Sequence, residues 1–419
     1  MSPTSLEDLE LPEFPMPGPE IRGEAWHEMM DVIIEQAEAD GIWLARNPIA
    51  TLVADREAGE FFLRSRSARF PGEYLYEAFG INEGPLHEQI RHNLLNTEGD
   101  RHRRLRSLVN PSLTPRAVEK YRPAVREYLE VLWDRLDGAT GFDFVEAFAK
   151  PLPAMTIARV MGAPPEDAPK LWDWSNWIQQ QFDPVALADP GVLETIQRKV
   201  VEFHDWIRPM VAAKRDDPGD DLVTELIAAE EEGDRLSDTE LENLVLNVLV
   251  GGVDTTQSQL SHIVRLLAEN PDQWQALRED PATLVPRAVE EGIRFEPITP
   301  FTARMLTEEV VYRDVVFPEG TPLIVCAYTA NRDPAVFHEP EVFDITRDPA
   351  GTRTLTFGAG IHYCAGTNLA KLELNEALDF LAERVGELEI ASPPKYASPV
   401  GVYGIDSLAL RITPAYLPA

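Results

Sequence analysis

The chain has 419 residues, 44% of them hydrophobic and 26% charged, which is the composition of a globular protein with a sizeable core and excludes disorder over the whole length. Its 71 acidic residues against 38 basic ones leave a net charge of −33, a balance that repels nucleic acid and anionic membrane and argues against a role at either. Two cysteines, Cys326 and Cys364, are too few for a disulfide framework, the acidic start MSPTSLEDLELPEF lacks the features of a signal peptide, and no apolar run reaches membrane-span length, so the expected location is the cytoplasm.

In chain order, residues 1–23 read as an extended, Pro-rich, acidic segment, followed by a helix through Ala39. WLAR from Trp43 and ATLVA from Ala50 flank the Asn47-Pro48 turn and predict a hairpin. From about Asp55 to Ala268 the periodicity is helical, most clearly over Arg116–Leu136, Val192–Lys214 and Asp238–Asn270. Pro/Gly breaks at 162–165, 183–184 and 217–219 read as turns rather than linkers. The β-branched runs Val310–Phe317 and Thr321–Ala327 predict strands, and a final helix over Ala365–Val385 precedes a short β-like tail. The expected fold is mainly α with a minor β-sheet, one domain over 1–419. No glycine fingerprint follows a predicted strand, which disfavours a Rossmann enzyme.

Three elements carry chemistry. FGAGIHYCAG, Phe357 to Gly366, sets Cys364 in a glycine-rich loop just before a long helix, where N–H groups and the helix dipole favour a thiolate. Gly358, Gly360 and Gly366 let backbone approach a flat cofactor. In VLVGGVDTTQSQL, Gly251 and Gly252 interrupt an apolar helix at about 1 kcal/mol apiece relative to Ala, and Asp254 and Thr255 follow. In EEGIR, Glu291 and Arg294 stand three apart on one helix face.

Taken in order, these strings resemble the cytochrome P450 family: F-x-x-G-x-[HR]-x-C-x-G, [AG]-G-x-[DE]-T and E-x-x-R are each met in full, with the motifs spread over roughly Glu98 to Glu373. The resemblance implies haem b ligated by Cys364, with Phe357 beside the thiolate and His362, His102, Arg106 and Arg304 holding the propionates. It implies that Gly251 and Gly252 make room for O2, that Thr255 rather than Thr256 hydrogen-bonds it, and that Asp254 relays protons. Glu291, Arg294 and Arg347 form a structural set. One departure is Leu113 in NPSLTPR, where the family usually has an aromatic; Cys326 reads as core, and no second metal site is supported.

The implied activity is insertion of one O atom from O2 into a C–H or C=C bond of a small to medium apolar substrate. Electrons come from NAD(P)H through a separate acidic ferredoxin, or flavodoxin, and its reductase, since no reductase domain is fused; the expected state is a monomer. A peroxide-using haem-thiolate enzyme and a non-catalytic member of the same fold are the alternatives. Trp174, Trp177, Ile178 and Phe182 on the distal lid, with Val248, Ile298 and Phe301, are candidate pocket residues, although the tryptophan stripe would serve equally to pack the lid. Arg101, Arg103 and Arg104 are candidates for docking the electron donor, with a solvated basic turn as the equal alternative.

Overall fold

The computed structural model describes residues 3–15, 17–18, 20–40, 43–231, 236–349, 351 and 353–415; of the Pro-rich start, residues 1, 2, 16 and 19 lie outside them. Most of the described chain is helical. Helix α1 (Glu24–Asp40) leads into β1 (Leu44–Asn47) and β2 (Ala50–Val53), which pair antiparallel around the Asn47-Pro48 turn. With β3 (Ala68–Arg69), β4 (Phe301–Leu306) and β5 (Pro322–Cys326) they build a five-stranded sheet in the order β1-β2-β5-β4-β3. Only the β2–β5 pairing in it is parallel. The run Val310–Phe317 folds as a hairpin rather than one strand, because Arg313 and Asp314 both adopt positive φ, 47° and 60°, as a tight two-residue turn requires.

The helices that position the site are α2 (Gly99–Val109), α3 (Pro151–Met161), α4 (Ala168–Gln179), α5 (Pro190–Asp216), α6 (Asp238–Gly252), α7 (Asp254–Glu269), α8 (Pro281–Phe295) and α9 (Thr367–Arg384). Their ends follow local chemistry. Asp189 and Asp280 accept N–H groups at the starts of α5 and α8, where Pro190 and Pro281 hold the first positions. Ser237 opens α6 with a capping box, its hydroxyl accepting the Glu240 N–H at 3.2 Å while the Glu240 carboxylate accepts the Ser237 N–H at 3.3 Å.

The single helix expected over Asp238–Asn270 is in fact two, broken at Val253 (φ −100°, ψ −68°). There the Gly251 carbonyl accepts the Thr255 hydroxyl at 2.7 Å, a side-chain bond that competes with the backbone ladder and bends it. From Thr256 to Leu267, α7 is buried without interruption, polar residues included, and it packs against both α8 and α9. Helix α4 lies across α6, with α3 and α5 on its flanks. Strand β6 (Ile405–Ser407) pairs antiparallel with Lys395–Tyr396 and rests against α7. Among the described residues no helix is long and apolar enough to cross a membrane.

Candidate functional site

Between Leu241 and Leu267 every residue is buried except Asn247, Val248, Gly251, Gly252, Asp254 and Thr255. Their spacing puts them on one face of the α6–α7 pair. A helix enclosed by protein and open along one strip lines an internal cavity, and the glycine and acid–alcohol residues expected to be functional lie on that strip. The two glycines differ. A Cβ at Gly252 would stand 2.5 Å from the Ile157 side chain on α3, whereas one at Gly251 would meet nothing within 4 Å. Gly252 serves close helix packing, and Gly251 bares backbone to the cavity.

Asp254 sits at the first turn of α7, near the Asn176 carboxamide of α4. Burial pushes its carboxyl up to about 6, the Asp406 charge adds to this, and the neighbouring Asn176 carboxamide opposes it. Asn176 was not foreseen; it lies hidden beside Trp177 in a lid segment whose aromatic stripe is the stronger signal.

Cys364 follows a tight loop in which its N–H donates to the Phe357 carbonyl at 3.0 Å, and Thr367 donates to the Cys364 carbonyl at 3.0 Å. Burial raises the thiol, while the N–H groups of Gly366 and Thr367, the Thr367 hydroxyl and the nearby Arg106 pull it down. Within the protein alone burial wins over the helix-start donors on which the sequence argument relied; a coordinating metal is what deprotonates such a thiol outright. Gly360, at φ 72°, brings its α-carbon so near Arg64 and Leu63 that a Cβ would stand 2.6 Å from the Leu63 carbonyl oxygen. Phe357 packs 6.3 Å from the Tyr363 ring, and Gly358 at φ 69° faces open space.

Beside this loop lies a donor-rich cluster. The His102 and His362 rings are 4.6 Å apart, and His362 Nε2 lies 3.0 Å from the Glu98 carboxylate. His102 Nε2 is buried without a partner among the described residues, and burial next to His362 and Arg106 pushes its imidazole down to about 4. Arg304 is 3% exposed, donates to the neighbouring Ala303 carbonyl at 2.8 Å, and is drawn by burial down to about 10. Two imidazoles and a buried guanidinium thus gather around one carboxylate, Glu98. A buried set so rich in donors calls for further anionic groups, and the two propionates of haem match it. The residues present therefore fit haem. Arg106 is placed differently from the expectation: its guanidinium donates to the Tyr363 carbonyl at 2.6 Å and to Asn110 at 2.8 Å, bracing the cysteine loop.

Glu291 and Arg294 form a buried bidentate pair at 2.7 and 2.8 Å, and Arg347 Nε approaches the same carboxylate at 3.1 Å. Arg294 also donates to the carbonyls of Asn331, Pro340 and Val342, so the set ties α8 to the loop preceding the cysteine segment.

The candidate pocket residues divide. Trp177, Phe182 and Val248 keep partial exposure, whereas Ile178 is fully buried and Ile298 nearly so. Two positions make packing contacts within the protein, Trp174 in keeping with the lid-packing alternative. Trp174 donates to Glu202 at 3.1 Å and packs its ring against Phe203 and Trp206, fastening α4 to α5. Phe301 packs edge-on to Phe14 and Trp26 in an aromatic cluster under α1. The docking patch is also less positive than its arginine count suggests: Arg101 and Arg104 approach Glu240 at 3.6 and 2.6 Å, and Arg103 pairs with Asp100.

Residues 78–382 match the family described as Cytochrome P450. The chain is 36% identical over 379 residues to the luteothin monooxygenase of Streptomyces thioluteus, covering 90% of this chain and 92% of that one. It is 35% identical over 291 residues to the erythromycin C-12 hydroxylase of Saccharopolyspora erythraea, covering 69% and 72%. The crystal structure of CalO2 superposes with a TM-score of 0.86 at 26% identity, over 95% of this chain and 98% of that one. With the family match, the luteothin monooxygenase and a solved structure agreeing over most of its length, the chain belongs to the cytochrome P450 family, as a monooxygenase of the bacterial kind.

Proposed function

We propose that this monooxygenase inserts one atom of O2 into a C–H or C=C bond of a small to medium apolar molecule, two electrons and two protons reducing the other atom to water. The observation that carries the reading is the open strip on α6–α7: the one exposed face of a buried helix pair presents bare glycine backbone, a hydroxyl and a carboxyl together. Cys364, His102, Arg304 and His362 are the residues that would hold haem, which when bound would supply the activation of dioxygen and the oxygen-atom transfer.

The remaining work falls to the chain itself. Thr255 holds a proton at Oγ1 on the cavity face, directed in the resting protein to the Gly251 carbonyl. Asp254, lifted to about 6, keeps a minor protonated fraction at neutral pH and can re-supply that hydroxyl. Val248, Trp177 and Phe182 provide apolar surface that excludes water from the reacting bond. Electrons are proposed to arrive from a separate ferredoxin and reductase, with Arg101, Arg103 and Arg104 the proposed docking residues on a chain of net charge −33.

Turnover under labelled dioxygen tests the proposal. One labelled atom in the product and one in water is the expected result. Product oxygen drawn from added peroxide, with none from O2, would favour the peroxide-using alternative and overturn it.

A further inference from the structure

The acid on the open strip has a second carboxylate behind it. Tyr403 offers its carbonyl to His262 Nε2 at 3.2 Å, and one residue later a Cβ at Gly404 would stand 2.7 Å from Ser258 Oγ. His262, Ser258 and Asp254 succeed one another at intervals of four along one face of α7, so the chain from Tyr403 runs antiparallel to the helix. In extended backbone two residues span about 6.6 Å, close to the rise of about 5.4 Å per helical turn. Asp406, two residues beyond Gly404, therefore arrives level with Asp254; it is the bulged residue of β6, since Ile405 and Ser407 pair with the adjacent Tyr396 and Lys395, and its charge acts on Asp254.

Asp406 is exposed, whereas Asp254 is half-buried at the cavity. We propose that Asp406 is the outer carboxylate of the proton supply: it passes protons from solvent toward Asp254 and, by its charge, keeps Asp254 loaded. The inference rests on the relay assigned above to Asp254 and Thr255. Each proton Asp254 gives up to the cavity is replaced by one taken from bulk water at Asp406, and no net charge accumulates.

The surroundings are consistent with this direction of flow. From α4 the group facing Asp254 is the neutral Asn176, and from β6 it is Asp406. Asp254 thus has a like charge and an amide around it, an arrangement that favours the protonated form. Burial also lifts Asp406, and Arg22 opposes that lift; the same arginine acts on Asp183, across the start of the helix Pro184–Leu187. Arg22 donates to the Tyr396 carbonyl at 3.1 Å, so a cation at the outer end moderates the first acid without reaching the second.

The test uses holoenzyme carrying Asp406→Asn, Asp406→Glu or Asp254→Asn. Infrared difference spectra across pH follow the protonated carboxyl stretch, with its loss in Asp254→Asn assigning the band. Turnover of whichever apolar compound gives the largest spin-state change then reports product formed per NAD(P)H and the solvent deuterium isotope effect. In Asp406→Asn the Asp254 band is expected to vanish at lower pH than in the parent. Product per NAD(P)H falls severalfold and the isotope effect rises, while Asp406→Glu restores all three. Parental values of all three in Asp406→Asn, alongside an uncoupled Asp254→Asn, would overturn the role of Asp406 alone. A fully coupled Asp254→Asn would overturn the underlying relay as well.

Discussion

At the residue scale the site depends on a few atoms with separable duties. Thr255→Ala deletes the hydroxyl that bonds the Gly251 carbonyl at 2.7 Å. That hydroxyl is assigned a part only after O2 enters, so substrate affinity should stay near parental while reducing equivalents are diverted to peroxide. Stoichiometry of peroxide against NAD(P)H measures it, and an unchanged ratio would count against the assignment. The glycine pair offers a sharper contrast. Gly252→Ala forces a methyl to 2.5 Å from Ile157 and should cost about 1–3 kcal/mol of stability as overpacking. Gly251→Ala meets nothing within 4 Å and should gain up to about 1 kcal/mol of helix propensity, yet it narrows the cavity and should lower turnover. Chemical denaturation separates the two, and equal destabilisation would refute the division of roles. Sequence alone marked both glycines but could not distinguish them, because which one meets a neighbour depends on the approach of α3.

At the scale of elements, the sequence was legible wherever a local rule sufficed. The Asn47-Pro48 turn, the proline and acid caps of α5 and α8, and the i, i+3 pairing of Glu291 with Arg294 all follow from residues close in the chain. What was not legible is what distant segments do to one another. The Gly251-Gly252 pair marks a weak point in the apolar helix, but the break at Val253 and the Thr255 hydroxyl competing for the Gly251 carbonyl appear only in the fold. Trp174 shows helical spacing suited to a ligand, yet Glu202 and the rings of Phe203 and Trp206 claim it for packing α4 on α5. Breaking the Glu291–Arg294 pair bears on elements too. Glu291→Ala leaves two arginines over a buried gap and should destabilise by about 3–5 kcal/mol, with haem retention falling alongside. A loss under about 1 kcal/mol in equilibrium unfolding would show that the carbonyls around Arg294 suffice to hold it.

For the whole molecule, two buried carboxylates bear on the pH response in opposite directions. Glu296, fully buried between His27 and Arg265 at 2.9 and 2.8 Å, ties α1 to α7 and the end of α8; nothing in the residues' spacing announced it. Glu373 on α9 is its opposite: both carboxylate oxygens are buried without a hydrogen bond among the described residues, and burial lifts its pKa from 4.5 to about 8 against the lesser pull of the nearby Thr156 hydroxyl. The folded protein retains a proton there that the unfolded chain releases. Its contribution to stability is thus complete below pH 4.5 and is lost as pH rises toward about 8. Thermal unfolding of Glu373→Gln should therefore gain on the parent progressively across that interval. A constant offset between the two would mean that Glu373 ionises normally in the fold.

The reduced carbon monoxide spectrum, parent against Cys364→Ser, bears most directly on the assignment of this chain as a haem-thiolate monooxygenase. The parent should show the red-shifted Soret band of a thiolate-ligated haem. The serine variant should lose that band even if haem is retained, since a neutral hydroxyl cannot supply the electron density of a thiolate. An identical band in both proteins, or no haem band in the parent reconstituted with iron protoporphyrin, would contradict the account.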